Sequence, residues 1–236
     1  MAWRADGDLP VIQSDKTKKT SGVVMITMVG SLKGGSGKST VTFNLAVWLT
    51  MADQRVLAVD LDPQATLTDV ADVRREEGWQ PPVTVVRRDQ LPEIDLSDYD
   101  EVVMDVGTAD MDSLKLAIRM ADRIVVPVPP SQADIWSTQR FIRFIQAIAA
   151  DDGQQPEILG FINRGDTHTA VRESDEAAAA LVALPGIKFL KPRVAQRTVF
   201  RRSFSEGLAV FELDPRNKGV REWNALAAAL YPHLIE

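Results

Sequence analysis

The chain has 236 residues, 45% of them hydrophobic, a formal net charge of −6 and no cysteine. That length suits one α/β core, and the absence of cysteine excludes a disulfide framework, a thiolate zinc site and a cysteine-held iron–sulfur cluster. No apolar run approaches the ~20 residues of a helical membrane span, and the first residues lack the apolar core of a signal peptide, so the expectation is a cytoplasmic protein.

Residues 1–22 are rich in Asp, Lys, Thr and Ser without periodicity, which predicts a flexible extension ahead of a single domain over 23–236. Val23 to Val29 is almost wholly apolar and rich in β-branched residues, the pattern of a buried strand, and it stops at Gly30. Next comes Lys33-Gly34-Gly35-Ser36-Gly37-Lys38-Ser39-Thr40. Glycines without a Cβ let successive backbone N–H groups turn around an anion, Lys38 adds a full charge, and Ser39 offers a hydroxyl to Mg²⁺. A helix from Thr40 to Met51 then points its positive end at the same phosphates. Two lysines on one short loop repel by about 4 kcal/mol at ~4 Å and an effective dielectric of ~20, and a nucleotide triphosphate neutralises both.

Arg55 to Asp60 reads as a second buried strand ending in the polar turn Asp60-Leu61-Asp62-Pro63-Gln64, at the C-terminal end where an open parallel sheet takes its ligands. A short helix follows from Thr66 to Arg75, then a proline-broken stretch with one short strand at Val83 to Val86. Glu101 to Asp105 is a strand closed by an acid. Further expected elements are a helix at Asp112 to Ala121, a strand at Arg123 to Val128, a helix at Ala133 to Ala149 and a strand at Glu157 to Asn163. A helix at Ala170 to Leu184, a last strand at Gly186 to Leu190 and helices near Thr198 to Glu206 and Pro215 to Leu230 complete the chain. Strands alternating with helices predict a three-layer α/β sandwich, a mainly parallel twisted sheet with helices on both faces.

ATP hydrolysis needs charge neutralisation, an aligned water and a Mg²⁺ clamp. Asp105, after Val102-Val103-Met104, fits the second acidic motif of phosphate-loop enzymes, which reaches the metal through water; a plain strand-ending aspartate is the other reading. Between Gly186 and Glu222 there are nine basic and four acidic residues, so this segment carries +5 and the remainder −11. Such an island is a candidate polyanion surface or, equally simply, a set of arginines paired with the acidic body.

Leu32 stands where the general phosphate-loop pattern wants its first glycine. Lys33 to Ser39 nevertheless resembles the deviant phosphate loop of the ParA/MinD ATPase superfamily, with Lys33 at the place of the signature lysine. Val59-Asp60-Leu61-Asp62-Pro63-Gln64, Pro127-Val128-Pro129-Pro130-Ser131 with Asp134-Ile135-Trp136, and Arg193-Val194-Ala195-Gln196-Arg197 with Glu206-Gly207 look like the small plasmid-type ParA partition ATPases. Asp105-Val106-Gly107-Thr108 departs from relatives that carry a proline there.

The resemblance implies an ATPase acting as an ATP-dependent homodimer with Mg²⁺, in which Lys33 of each protomer reaches phosphates in the other and Asp62 orients the attacking water. Asp62 as a helix-capping turn residue is the alternative. Nucleotide contacts fall on Lys33, Gly34, Gly35, Ser36, Gly37, Lys38, Ser39 and Thr40, metal contacts on Ser39 and Asp105. Asn163 stands where several relatives recognise adenine, although an ordinary turn asparagine reads the same way.

The resemblance also implies nonspecific DNA binding, here through Arg193, Arg197, Arg201, Arg202, Arg216 and Lys218, with nucleoid association in the ATP state. A ParB-like or cargo adaptor partner would trigger hydrolysis. The competing classes are a MinD-like membrane switch, which needs a basic amphipathic C-terminal helix that Trp223 to Glu236 does not offer, and a small-molecule ATP-dependent ligase of the same fold.

Overall fold

The computed structural model describes residues 24–151, 153–167 and 172–235. The extension expected over 1–22 lies outside the described residues. Eight strands form one sheet. They are β1 (Met25–Val29), β2 (Val56–Asp60), β3 (Thr84–Arg87), β4 (Glu101–Asp105), β5 (Arg123–Val128), β6 (Glu157–Gly165), β7 (Lys188–Phe189) and β8 (Val194–Ala195). The order is β3-β2-β4-β1-β5-β6-β7, with β8 on β6 as well, and every pairing is parallel. The expected parallel sandwich is what forms.

The helices are α1 (Lys38–Met51), α2 (Thr66–Glu76), α3 (Met111–Met120), α4 (Gln132–Asp151), α5 (Glu173–Ala183), α6 (Thr198–Ser205), α7 (Val210–Leu213) and α8 (Lys218–Leu230). Because strand side chains alternate faces, each central strand feeds two cores. Val29, Val103, Val125 and Phe161 join α1, α2 and α8 through Phe43, Leu67, Trp223 and Leu226. Met28, Val102, Ile124 and Ile162 join α3, α4 and α5 through Leu114, Phe141 and Leu181. All five residues of β2 and of β4 are buried, which explains their continuous apolar sequence.

Chain order places the site. From β1 the chain moves to one side of the sheet for β2 and β3, returns as β4, and crosses to the other side at β5. The crevice at the carboxyl ends of β1, β4 and β5 is therefore the topological switch point, where open parallel sheets bind ligands. Boundaries match the sequence reading at β4 and β5 and move elsewhere. Helix α1 begins at Lys38, two residues before the expected start, while α5 begins at Glu173. The two-residue β8 and four-residue α7 carry no sequence signal of their own.

Candidate functional site

Glycine decides the shape of the loop between β1 and α1. Gly35 and Gly37 have φ of 76° and 92°, the left-handed region where a side chain is strained. A β-carbon on Gly37 would also stand 2.6 Å from Asn163 Nδ2. The Ser31 hydroxyl donates to the Lys33 carbonyl at 2.9 Å and lies 2.9 Å from the Ser36 hydroxyl, bracing the loop from inside. Asn163 Nδ2 donates to the Ser36 carbonyl at 2.7 Å, and Arg164 Nη1 donates to the Gly35 carbonyl.

The first helical hydrogen bond of α1 runs from Val41 N–H to the Gly37 carbonyl, and no side chain caps this end. The N–H groups of Lys38, Ser39 and Thr40 thus face the crevice side of the helix end with no acidic side chain in the first turn to compete for them. Lys38 is buried, and its Nζ lies 3.4 Å from the Lys33 carbonyl. Burial pulls its ammonium below the usual pKa, and the carboxylates of Asp105 and Asp62 oppose that shift. The loop lysine and both acids therefore share one electrostatic pocket.

Asp60 and Asp105 are register partners on β2 and β4. Their environments give them different work. Asp60 Oδ1 accepts from Asp62 N–H at 3.1 Å, and Oδ2 accepts from the N–H and hydroxyl of Thr68 at 2.9 and 2.7 Å. It fixes the turn into α2, a structural task. Asp105 is fully buried and neither carboxylate oxygen accepts a well-formed hydrogen bond. Burial lifts it to about 7, while the Ser39 hydroxyl and the Lys38 charge act in the other direction. A buried unpaired carboxylate beside a serine hydroxyl fits a Mg²⁺ held through Ser39 and, by way of water, Asp105. The uncapped helix end and Lys38 fit the phosphates. Asp62 keeps its carboxylate at the crevice, held by Gln64 N–H at 3.0 Å.

Lys33 Nζ forms an ion pair with Asp134 of its own chain, at 2.9 Å to Oδ1 and 3.0 Å to Oδ2. Asp134 is buried at the start of α4, where its backbone N–H donates to the Ser131 hydroxyl at 3.2 Å. The sequence reading gave Lys33 a place in the opposite protomer and gave Asp134 no role. Arg164, Gly107 and Asp134 are the residues of the site to which sequence reasoning gave no role, although Gly107 and Asp134 lay within quoted segments.

A cleft of about 380 Å³ opens beside the loop, lined by Gly37, Thr40, Asn163, Val194, Gln196 and Trp223 among others. Its walls are mixed polar and apolar, as a nucleotide base needs. Arg197 and Arg201 of the basic segment also line the cleft, and within that segment the expected residues divide. Arg193 pairs with Asp175 at 2.5 Å, and Arg197 pairs with Glu222 at 2.5 Å. Arg201, Arg216 and Lys218 are exposed, and exposed Arg202 has only a 3.7 Å contact to Glu206. A β-carbon on Gly219 would stand 3.1 Å from Val199 and 3.2 Å from Phe200, so the start of α8 packs on the start of α6.

Residues 27–210 match the family described as the CobQ/CobB/MinD/ParA nucleotide binding domain. The chain is 30% identical over 203 residues to the maintenance of carboxysome distribution protein A of Halothiobacillus neapolitanus, covering 82% of this chain and 90% of that protein. It is 24% identical over 207 residues to the sporulation initiation inhibitor protein Soj of Bacillus subtilis, covering 83% and 76%. A plasmid partition protein of Borrelia burgdorferi bound to AMPPNP superposes with a TM-score of 0.68 at 17% identity, over 89% of this chain and 100% of that one. An ATP complex of McdA from Cyanothece gives 0.72 at 17% identity, over 89% and 97%.

Proposed function

Because this chain belongs to the CobQ/CobB/MinD/ParA nucleotide-binding family, we propose that it is a positioning ATPase that dimerises on ATP, holds nonspecific DNA in that state and lets go when a cargo-bound adaptor triggers hydrolysis. The observation that carries the reading is the buried, unpaired Asp105 facing Lys38 and Ser39 at the switch point of the sheet. The similarity to the carboxysome distribution protein supports the positioning role.

Mg²⁺, which Ser39 and Asp105 would hold, would neutralise the phosphate charge of the ATP that supplies the phosphoryl group. Everything else is the work of this chain. Gly35 and Gly37 shape the loop so that its amides receive phosphate, and Lys38 places a charge among them without reorganisation. Asp62, whose Oδ1 accepts from the Gln64 N–H, orients the attacking water by accepting a hydrogen bond from it. Asn163 and the cleft beside it take the base. Lys33 leaves Asp134 to reach the phosphates of the opposite protomer, so the second subunit completes each site.

Dimerisation doubles the cationic face built from Arg201, Arg202, Arg216 and Lys218, which makes DNA affinity depend on ATP. Helix α8 does not offer a membrane-facing apolar stripe, since its Trp223, Leu226, Ala227 and Leu230 are buried in the core. Duplex binding measured by fluorescence anisotropy with Mg-ATP, Mg-ADP and no nucleotide tests the reading: tight binding is expected with Mg-ATP alone, and equal binding in all three states contradicts it.

A further inference from the structure

Arg164 takes no part in the chemistry above, yet its backbone is held in an unusual conformation at the site. It lies at the register shift between Asn163 and Gly165, where β6 takes up β8, and its φ is 57°. A non-glycine residue there is strained and persists only where its surroundings impose it. A bulge of this kind re-aims a side chain. In this case the guanidinium crosses to the phosphate loop and donates to the Gly35 carbonyl, while the adjacent Asn163 donates to the Ser36 carbonyl at 2.7 Å.

Two successive peptide units of the loop are thus held from one strand end. In a planar trans peptide the C=O and the following N–H point in opposite directions. Tying the carbonyls of Gly35 and Ser36 toward β6 therefore turns the N–H groups of Ser36 and Gly37 away from it, into the loop. We propose that Arg164, seconded by Asn163, is a positioning residue that holds the phosphate loop in its anion-receiving shape, so that affinity for nucleoside di- and triphosphates is set partly from β6. The bulge is the device that delivers the guanidinium, which accounts for strain at a position where glycine would relieve it. This deepens, and rests on, the nucleotide-binding reading of the site.

The test compares Arg164→Ala, Arg164→Gly and Arg164→Lys with the unaltered protein, using Mg-ATP and Mg-ADP by calorimetry and adenosine by ligand-observed NMR. Arg164→Gly removes the guanidinium and the backbone strain together, so it separates loss of the clamp from a folding defect. Losing a charge-assisted hydrogen bond predicts affinity for both Mg-nucleotides about ten-fold weaker in the Ala and Gly variants, and recovery to within about three-fold in the Lys variant. Adenosine affinity and the melting temperature of Arg164→Gly should stay near those of the unaltered protein. Undiminished Mg-ADP binding by the Ala and Gly variants, or an equal loss for adenosine, overturns the proposal. An unaltered protein that binds neither Mg-nucleotide overturns the underlying reading and this proposal with it.

Discussion

A β-carbon on Gly107 would stand 2.5 Å from the Asp62 carboxylate carbon and 2.6 and 2.7 Å from its two oxygens. The strand that ends in Asp105 therefore also sets, two residues later, where Asp62 can lie. Gly107→Ala should push that carboxylate aside without disturbing Lys38 or the loop, lowering kcat about ten-fold or more and changing KM for ATP less than about three-fold. Steady-state phosphate release measures both. In an Asp62→Ala background the same substitution should cost nothing more, because its effect runs through Asp62.

The pairing of Lys33 with Asp134 gives the lysine two competing partners, its own α4 and the opposite protomer's nucleotide. Asp134→Asn keeps a hydrogen-bonding group at the helix start and removes the charge, so dimers should form at lower ATP concentration. Lys33→Ala should bind ATP as a monomer and fail to dimerise, since Lys38 and the loop amides act within one chain. Sedimentation velocity across an ATP titration distinguishes the two outcomes, and a Lys33→Ala protein that dimerises normally removes the cross-protomer role.

Far from the site, burial lifts Glu101 to about 7 at the amino end of β4, where Tyr231 OH donates to Oε2 at 3.2 Å. Arg123 and Tyr231 oppose the shift, while Asp100 and Asp122 reinforce it. The folded-state value lies above the ordinary one, so between roughly pH 4.5 and 7 the folded state binds more protons than the unfolded state, and stability falls as pH rises through that window. The loss is at most about 3 kcal/mol. Glu101→Gln should raise the melting temperature above pH 7 and converge on the unaltered protein near pH 4.5, as thermal scans at several pH values will show.

Strands were legible in the sequence wherever both faces are buried, because a run such as Val102-Val103-Met104 has no polar phase to mislead. Short elements were not. Val194–Ala195 is a strand only because β6 and α8 hold it, and Val210–Leu213 a helix only because Asn44 Oδ1 accepts its first N–H at 2.8 Å. At the site, the shape of the phosphate loop follows from local residue types, whereas the expected role of Asp62 came from the family resemblance. The duties of Arg164, Gly107 and Asp134 depend on partners remote in sequence, and no local spacing announces them. The basic segment shows the opposite failure: a count of charge could not tell that Arg193 and Arg197 are spent on Asp175 and Glu222.

The exposed cations Arg201, Arg202, Arg216 and Lys218 make a narrower candidate DNA surface than the count suggested. With Mg-ATP, ~4 to 6 phosphate contacts across two protomers should give a slope of log affinity against log salt of about −4 to −5, with little sequence preference. Changing Arg201 and Arg202 together to Glu should weaken binding and flatten the slope while leaving ATP-dependent dimerisation intact. An unchanged slope with normal dimerisation places the DNA surface elsewhere.

The central claim is that ATP joins two copies of this chain and that hydrolysis separates them. Asp62→Ala removes the group that orients the water and spares every group that holds phosphate, so it should lock the joined state. Light scattering of this variant should give the mass of two chains with Mg-ATP and of one chain with Mg-ADP or no nucleotide; a single-chain mass at saturating Mg-ATP would show that ATP does not join the chains.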